Sequence, residues 1–123
     1  MRVMLKSKIH RATITDTNMA YEGSIGIDSC LLREADLLPY EQVHVLDITN
    51  GSRFETYAVQ EPEGSGRVAV YGAAARLVAP GDTVIILGYQ VVTEEEARSI
   101  HPRVVHVDAA NAPLTSTVAS LSS

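Results

Sequence analysis

Hydrophobic residues in this chain fall mainly into short runs that are rich in β-branched side chains and bounded by turn-forming residues, a pattern typical of β-strands. It predicts strands at residues 2–6, 9–15, 42–49, 53–60, 67–71, 83–92 and 103–107. The Asn50-Gly51 pair lies between two alternating runs and predicts a tight hairpin. Alternation in the second run places two sets of side chains on opposite faces: Phe54, Thr56 and Ala58 against Arg53, Glu55, Tyr57 and Val59.

Helical signals are few and short. Residues 28–38 have apolar positions at a helical spacing, with Asp28 or Ser29 as the expected N-cap. Thr93 and Glu96 form the pattern of a capping box, and acidic residues fill the first turn that follows. Both helices are therefore expected to be minor elements in a β-rich chain.

Short strands, frequent turns and few helices predict a mainly β fold, which we interpret as a small closed barrel, with a sandwich as the alternative. Residues 72–78 add one or two helical turns before the turn at Pro80-Gly81. A length of 123 residues indicates one domain. The last fifteen residues, 109–123, are small and uncharged, so we expect a globular domain over residues 1–108 followed by a flexible tail.

Composition excludes several classes of function. The chain carries 10 Lys and Arg against 15 Asp and Glu, a net charge of −5, which argues against a nucleic-acid surface. No apolar run approaches the roughly 18 residues that a membrane span needs, and no signal-peptide pattern begins the chain. A single cysteine, Cys30, allows no internal disulfide and fits a reducing compartment. We therefore expect a cytoplasmic protein with no membrane or nucleic-acid partner.

The N-terminal region departs from the acidic balance of the chain. Residues 2–11 contain Arg2, Lys6, Lys8 and Arg11 and no acidic residue. Two interpretations stay open from the residues alone. The run is either a solvated edge strand whose charges discourage aggregation, or part of a binding site for an anionic ligand.

Metal and nucleotide chemistry find little support in the sequence. The four histidines, His10, His44, His101 and His106, do not show metal-ligand spacing with one another or with Cys30, so no metal is expected. His44 alternates with apolar neighbours and is expected to face the surface, whereas Cys30 is expected to be a small buried residue. The glycines at residues 64–66 and 71–75 do not match a phosphate-binding loop.

Four motifs occur together in a specific order: MLKSKIHRA at 4–12, YEGS at 21–24, NGSRFETYAV at 50–59 and GAAARLVAPGD at 72–82. In this combination the chain resembles the pyruvoyl-dependent aspartate 1-decarboxylases over residues 1–108. The resemblance implies a six-stranded double-psi β-barrel and a homotetramer with active sites between neighbouring subunits. It also implies decarboxylation of L-aspartate to β-alanine for pantothenate and coenzyme A synthesis.

The resemblance implies a self-made cofactor, because members of this family cut their own chain within the Y-x-G-S motif. Here the cut would fall between Gly23 and Ser24, and Ser24 would become a covalently bound pyruvoyl group. That group forms a Schiff base with the substrate amine and withdraws electrons as CO₂ leaves. Gly23 suits the backbone strain of the cut, since a Cβ there would clash.

The resemblance also assigns roles to other residues. Thr56 would stabilise the oxyanion during self-cleavage, and Tyr57 would donate a proton after decarboxylation. Lys8 and Arg53 would bind the substrate carboxylates, with Arg suited to a bidentate grip. The remaining implied contacts, which border or support the substrate, are Thr56, His10, Gly72, Ala73 and Ala74.

One position departs from the family pattern: members usually have Asn before the Gly-Ala-Ala-Ala run, and here that residue is Tyr71. The leading hypothesis is the aspartate decarboxylase. The alternatives are a paralogue that is not processed and only binds a small acidic metabolite, and a decarboxylase for another α-amino diacid such as glutamate. The need for a separate maturation factor is left open.

Overall fold

The structure, a computed structural model, describes residues 1–114; the rest of the predicted tail, 115–123, lies outside the described residues. Eight strands dominate this part of the chain, as the alternation predicts: β1 (Arg2–Thr13), β2 (Asp16–Asn18), β3 (Ser24–Asp28), β4 (Gln42–Asp47), β5 (Arg53–Glu61), β6 (Val68–Tyr71), β7 (Thr83–Val92) and β8 (Arg103–His106). Two short α-helices, α1 (Ser29–Ala35) and α2 (Glu94–Ala97), and a 3₁₀ helix (Gly72–Arg76) complete the fold. The prediction of a mainly β chain with few short helices is confirmed.

The strands form one hydrogen-bonded series in the order β2-β6-β3-β5-β4-β7-β1-β8. Strand β5 joins the two halves, because it pairs with β4 on one side and with β3 on the other. The chain passes from β1, which lies next to the end strand β8, to β2 at the other end of the series. In this connection Ile14 N–H donates to the Asp82 carbonyl and Thr15 N–H to the Val68 carbonyl. This connection curls the sheet, and the arrangement is compatible with a barrel-like fold although β2 and β8 are not paired within residues 1–114.

The strands differ from the predicted ones in three places, one of which is the short strand β2, which no predicted run covers. The runs at 2–6 and 9–15 form a single strand, β1, whose pairing with β7 shifts register between Ile9 and Ala12. Arg11 has a φ of 67° there, which is typical of a bulge. Strand β3 was not predicted because all five of its residues are buried, so it shows no alternation.

The elements that local sequence signals predict are present in the structure. Gly51 has a φ of 81° in the hairpin between β4 and β5. Thr93 and Glu96 form the predicted capping box, with reciprocal hydrogen bonds of 3.1 and 2.9 Å. Asp28 rather than Ser29 is the N-cap of α1, since its carboxylate accepts a hydrogen bond from Cys30 N–H at 2.8 Å.

The core lies between the inward faces of the strands and α1. Its largest fully buried side chains include Ile9, Ile25, Ile27, Val45 and Ile86. These side chains come from strands in both halves of the series, so burial of their apolar surface holds the two halves together.

Two predictions about burial have different outcomes. His44 lies between the fully buried Val43 and Val45 and is itself only half-buried, as the alternation predicts, with its ring centroid 4.9 Å from the Tyr89 ring centroid. Cys30 is half-buried rather than buried, because it occupies the first turn of α1 on a flank of the core-facing side. Burial raises the pKa of its thiol, which disfavours the nucleophilic thiolate.

The start of the predicted tail contacts the barrel. Asn111 is buried and accepts a hydrogen bond from Thr13 N–H at 2.8 Å, and its amide donates to the carbonyls of Thr13 and Gly66. Residues 109–114 are thereby connected to β1 and to the loop before β6. Over residues 1–114, no helix is both long and apolar enough to cross a lipid bilayer.

Two buried carboxyl groups meet where β4 ends and β7 begins. Asp47 Oδ1 accepts hydrogen bonds from the Thr49 and Asn50 N–H groups, while Asp47 Oδ2 has no donor among the described residues. Burial and the neighbouring Asp82 carboxyl raise the pKa of Asp47. Two ionised carboxylates cannot hydrogen-bond, so the pair is satisfied only while one of them holds a proton.

This pair predicts a stabilising substitution. Asp47→Asn keeps the Oδ1 acceptor and supplies an Nδ2 donor toward Asp82 without needing a proton. A carboxyl whose pKa is raised in the folded state stabilises the fold at pH values below its ordinary pKa of 3.8. That contribution is lost as the pH rises through the raised folded-state pKa. We expect thermal unfolding at pH 7 to show a gain of about 1 kcal/mol, and little gain at pH 3. The exposed Asp36→Asn controls for the lost charge, and destabilisation of Asp47→Asn at pH 7 would contradict the shared proton.

Candidate active site

Ser24 is the first residue of β3 and is 5% exposed. It pairs with Tyr71 across the antiparallel β3–β6 ladder. On the other side, β3 runs parallel to β5 with Ile25 opposite Ala58, so the preceding residues Ser24 and Tyr57 occupy adjacent positions. Register partners project to the same face of a sheet. Ser24 therefore lies between two tyrosines, and its hydroxyl forms no hydrogen bond with any residue that the structure describes.

The peptide before Ser24 rests on the backbone of Gly72. Gly72 has a φ of 78°, and a Cβ at this position would lie 2.5 Å from Gly23 Cα and 3.1 Å from the Tyr21 carbonyl oxygen. Only glycine permits both the conformation and the approach. The 3₁₀ helix that begins at Gly72 brings Ala73, which is exposed, and Ala74, which is half-buried, to the same end of β3.

Strand β5 places Thr56 and Tyr57 on opposite faces, as the alternation predicts. Tyr57 is 37% exposed and its ring centroid lies 6.2 Å from that of Tyr40. Thr56 is half-buried next to Ala58, which belongs to the core, and its hydroxyl has no hydrogen-bond partner within residues 1–114. Both side chains lie on the strand next to the Gly23-Ser24 segment, with their polar atoms uncommitted.

The predicted carboxylate-binding cations lie elsewhere on the outer face of the sheet. Register partners on four neighbouring strands form one row across the sheet: Lys8 on β1, Leu87 on β7, His44 on β4 and Glu55 on β5. Arg53 lies two residues from Glu55 on the same face and lines a cleft of about 300 Å³ with His44 and Glu55.

One chain does not bring these cations to Ser24. Three strand spacings, about 14 Å, separate Lys8 on β1 from strand β5, and β3 is one strand further away. Arg53 is four residues from Tyr57 along β5, about 13 Å. The structure thus gathers Gly23, Ser24 and Tyr57 with Gly72, and leaves Lys8 and Arg53 on a separate surface of the same chain.

The basic N-terminal run divides into two kinds of residue. Arg2 pairs with Glu94 at 2.8 Å, and Lys6 pairs with Glu41 at 2.5 Å in a partly buried position. Lys8 and Arg11 form no ion pair with any described residue. The edge-strand interpretation is wrong, because β1 lies between β7 and β8 in the sheet. Two of the four cations are held in ion pairs, and the other two remain free for an anion.

His10 lies beside these free cations on β1. Its ring centroid is 5.3 Å from that of His106, which is paired with it across β1 and β8. Burial, with His106, Lys8 and Arg11 nearby, lowers the pKa of His10, so its imidazole is neutral at pH 7. A neutral His10 can contribute polarity and a hydrogen bond to this patch, but little positive charge.

Sequence reasoning missed two residues that bind the Tyr71 side chain. The Tyr71 hydroxyl donates to Glu61 Oε2 at 2.6 Å and accepts from Arg67 Nη2 at 3.3 Å. Burial and the bond to Glu61 raise the pKa of Tyr71, so the phenol keeps its proton. The one sequence signal for this arrangement is Gly26, because a glycine inside a strand often marks a close approach. Glu61 folds over Gly26 and leaves no room for a Cβ there.

No group of three or more His, Cys, Asp or Glu residues within residues 1–114 has the geometry to hold a metal ion. The groups near Ser24 are hydroxyls, phenols and backbone donors. The cations Lys8 and Arg53 lie on the separate surface. This set suits acyl transfer at a peptide carbonyl and recognition of carboxylates.

Comparison with known proteins identifies the family to which this chain belongs. The profile of the Aspartate decarboxylase family matches residues 1–114. The Aspartate 1-decarboxylase of Dehalococcoides mccartyi is 57% identical over 108 residues, which are 88% of this chain and 87% of the relative. That of Moorella thermoacetica is 54% identical over 110 residues, 89% and 86% of the two chains. That of Thermoanaerobacter pseudethanolicus is 51% identical over 113 residues, 92% and 97%. Identity at this level along nearly the whole chain shows that this protein belongs to the aspartate decarboxylase family.

Proposed function

We propose that this chain is an aspartate 1-decarboxylase that cuts itself between Gly23 and Ser24 and then converts L-aspartate to β-alanine and CO₂. This reaction supplies β-alanine for pantothenate and coenzyme A synthesis in the cytoplasm. The observation that carries the proposal is the position of Ser24. Its uncommitted hydroxyl follows a glycine that is held against Gly72, at the start of a strand next to Thr56 and Tyr57.

Self-cleavage follows from the chemistry of a serine next to a peptide carbonyl. Ser24 Oγ adds to the Gly23 carbonyl carbon, and the bond to the Ser24 nitrogen breaks, which gives an ester and a free amine. Loss of the Ser24 Cα proton with expulsion of the Gly23 carboxylate then breaks the chain and leaves a dehydroalanine. Water hydrolyses its imine tautomer, releases ammonia and leaves a pyruvoyl group. Thr56 is the donor we assign to the oxyanion of the first step.

The residues around Ser24 fit a pyruvoyl group. The group would be small and uncharged, and its neighbours are glycine and alanine backbone and two phenols, with no charged side chain hydrogen-bonded to Ser24 among the described residues. Once formed, it supplies an electrophilic carbonyl and an electron sink for loss of CO₂ from an amino acid. Tyr57 is the residue we assign to proton delivery at the substrate α-carbon, because a phenol hydroxyl can donate a proton.

Substrate recognition requires cations, since aspartate carries two carboxylates. We assign this role to Arg53 and Lys8, supported by the neutral His10, with Gly72, Ala73 and Ala74 bordering the substrate. Within one chain these cations lie far from Ser24. We therefore propose a homotetramer in which one subunit supplies the cleaved Ser24 and a neighbouring subunit supplies Arg53 and Lys8.

The first test is denaturing mass spectrometry of the protein after purification from bacterial cells. We expect two pieces, residues 1–23 and a ketone-bearing piece from 24–123, and β-alanine formation that is faster with aspartate than any product from glutamate. Ser24→Ala should give one intact, inactive chain with an unchanged fold. Ser29→Ala, which also removes a serine hydroxyl, is the control. Cleavage of the Ser24→Ala chain at the same bond would refute the assignment of Ser24 as the cofactor precursor. A faster reaction with glutamate would identify glutamate, and not aspartate, as the substrate.

Thr56 and Tyr57 form a matched pair for separating the two stages. Thr56→Ala should slow self-cleavage by roughly 10²-fold or more, as loss of an oxyanion donor does. Tyr57→Phe should cleave normally yet lower kcat by roughly 10²-fold or more. Cleavage is followed by mass spectrometry and turnover by CO₂ release. Normal cleavage of Thr56→Ala, or normal turnover of Tyr57→Phe, would remove that residue from its assigned stage.

Mixing two inactive variants tests the shared site. Ser24→Ala lacks the cofactor precursor and Arg53→Ala lacks the carboxylate grip. If each site takes one residue from each of two subunits, a co-refolded equal mixture should regain about a quarter of the parental sites by random assembly. If both residues acted within one chain, the mixture would stay inactive. Native mass spectrometry of the same samples, which resolves the mass difference between the two variant chains, reports whether mixed tetramers have formed.

A further inference from the structure

A polar brace crosses the outer face of the sheet beside Ser24. Asp16 on β2 pairs with Arg67 Nη1 at 3.0 Å, and Arg67 Nε binds Glu61 Oε1 at 3.1 Å. Glu61 in turn accepts the hydrogen bond from the Tyr71 hydroxyl at 2.6 Å. The brace therefore connects β2, β6 and β5 by side chains that pass over β3, the strand that begins at the cleavage serine.

The geometry of the brace depends on a glycine. Strands β5 and β6 flank β3, so Glu61 and Tyr71 reach across two strand spacings, about 10 Å. They meet above Gly26, where a Cβ would collide with the Glu61 carboxylate. The Glu61 side chain is only 13% exposed, which keeps this part of the brace away from the screening effect of water.

The segment that precedes the cut has little else to hold it. No side-chain hydrogen bond from any residue within 1–114 reaches Tyr21, Glu22 or Gly23. Their contacts are to the residues that the brace fixes: the Tyr21 ring lies 5.6 Å from the Tyr71 ring, and Gly23 lies against the backbone of Gly72. The position of the Gly23 carbonyl relative to Ser24 therefore depends on where Tyr71 and Gly72 are held.

We infer that Tyr71 is a positioning residue for self-cleavage, which acts through the tether of its phenol to Glu61 and Arg67. The inference rests on the proposed cut at Gly23-Ser24. Because the hydroxyl is held over Gly26, the tyrosine extends away from Ser24 along the sheet. The large side chain then serves as a support for the Tyr21–Gly23 segment and does not block the serine.

The test follows cleavage from the moment the chain is made, by mass spectrometry during cell-free synthesis of the full chain. Tyr71→Phe removes the tether and keeps the ring, and should slow cleavage about tenfold. Glu61→Ala should slow it to the same extent, whereas Glu61→Gln, whose amide oxygen still accepts from the phenol, should restore most of the rate. Tyr89→Phe and Glu63→Gln, which remove similar groups outside the brace, should cleave within about twofold of the parent.

Three further readouts separate positioning from stability. The double variant of Tyr71→Phe with Glu61→Ala should be no slower than either single variant, since both remove one interaction. Hydroxylamine, which cleaves esters faster than amides, should show that the variants form less of the Ser24 ester. Thermal unfolding in the uncleavable Ser24→Ala background should differ by only a few degrees, a change that would not itself slow cleavage at 25 °C.

The outcomes distinguish this inference from the proposed function. A parent chain that never cleaves overturns both. A parent chain that cleaves, with Tyr71→Phe or Glu61→Ala cleaving at the parental rate, overturns the role of the tether alone. Strictly additive effects in the double variant would also overturn it. If Tyr71→Phe folds poorly, Glu61→Ala carries the test, because it leaves the tyrosine ring in place.

Discussion

The contact between the Gly72 and Gly23 backbones is the constraint on which the segment before the proposed cut depends. At 2.5 Å from Gly23 Cα there is no room for a Cβ on residue 72, and a φ of 78° also requires glycine. Because this contact joins the end of β6 to the start of β3, the 3₁₀ helix that follows must begin with small residues. The glycine at the start of the Gly-Ala-Ala-Ala run is thus a consequence of how closely two backbones approach.

Strand β5 determines how the other functional groups are divided. It pairs with both halves of the sheet, so alternate residues along it reach different surroundings. Thr56 faces the core side next to Ala58, Tyr57 faces outward beside Ser24, and Arg53 faces outward near the far end of the strand. One nine-residue strand therefore serves two separated surfaces, and an active site that needs both surfaces is completed more simply by a second subunit than by bending the sheet.

The sequence predicted the elements whose signals are local and missed those that depend on distant pairing. The Asn50-Gly51 hairpin and the Thr93–Glu96 capping box follow from a few adjacent residues, and both formed. Strand β3 escaped prediction because burial on both faces removes the alternation. The motifs predict that Ser24 and Arg53 belong to the site, but the distance between them within one chain depends on register and strand order. No local pattern encodes those properties.

The tyrosine at position 71 is best understood together with Glu61 and Gly26. An asparagine at this position would be too short to meet a carboxylate that arrives from a strand two spacings away, so Glu61 would keep only Arg67 as its partner. Conversely, a tyrosine without Glu61 would bury a phenol hydroxyl with one weak bond of 3.3 Å, which is costly. A side chain at residue 26 would push the two apart. The departure from the family pattern is therefore one part of a set of three mutually dependent residues, and its effect on cleavage has to be measured on the set.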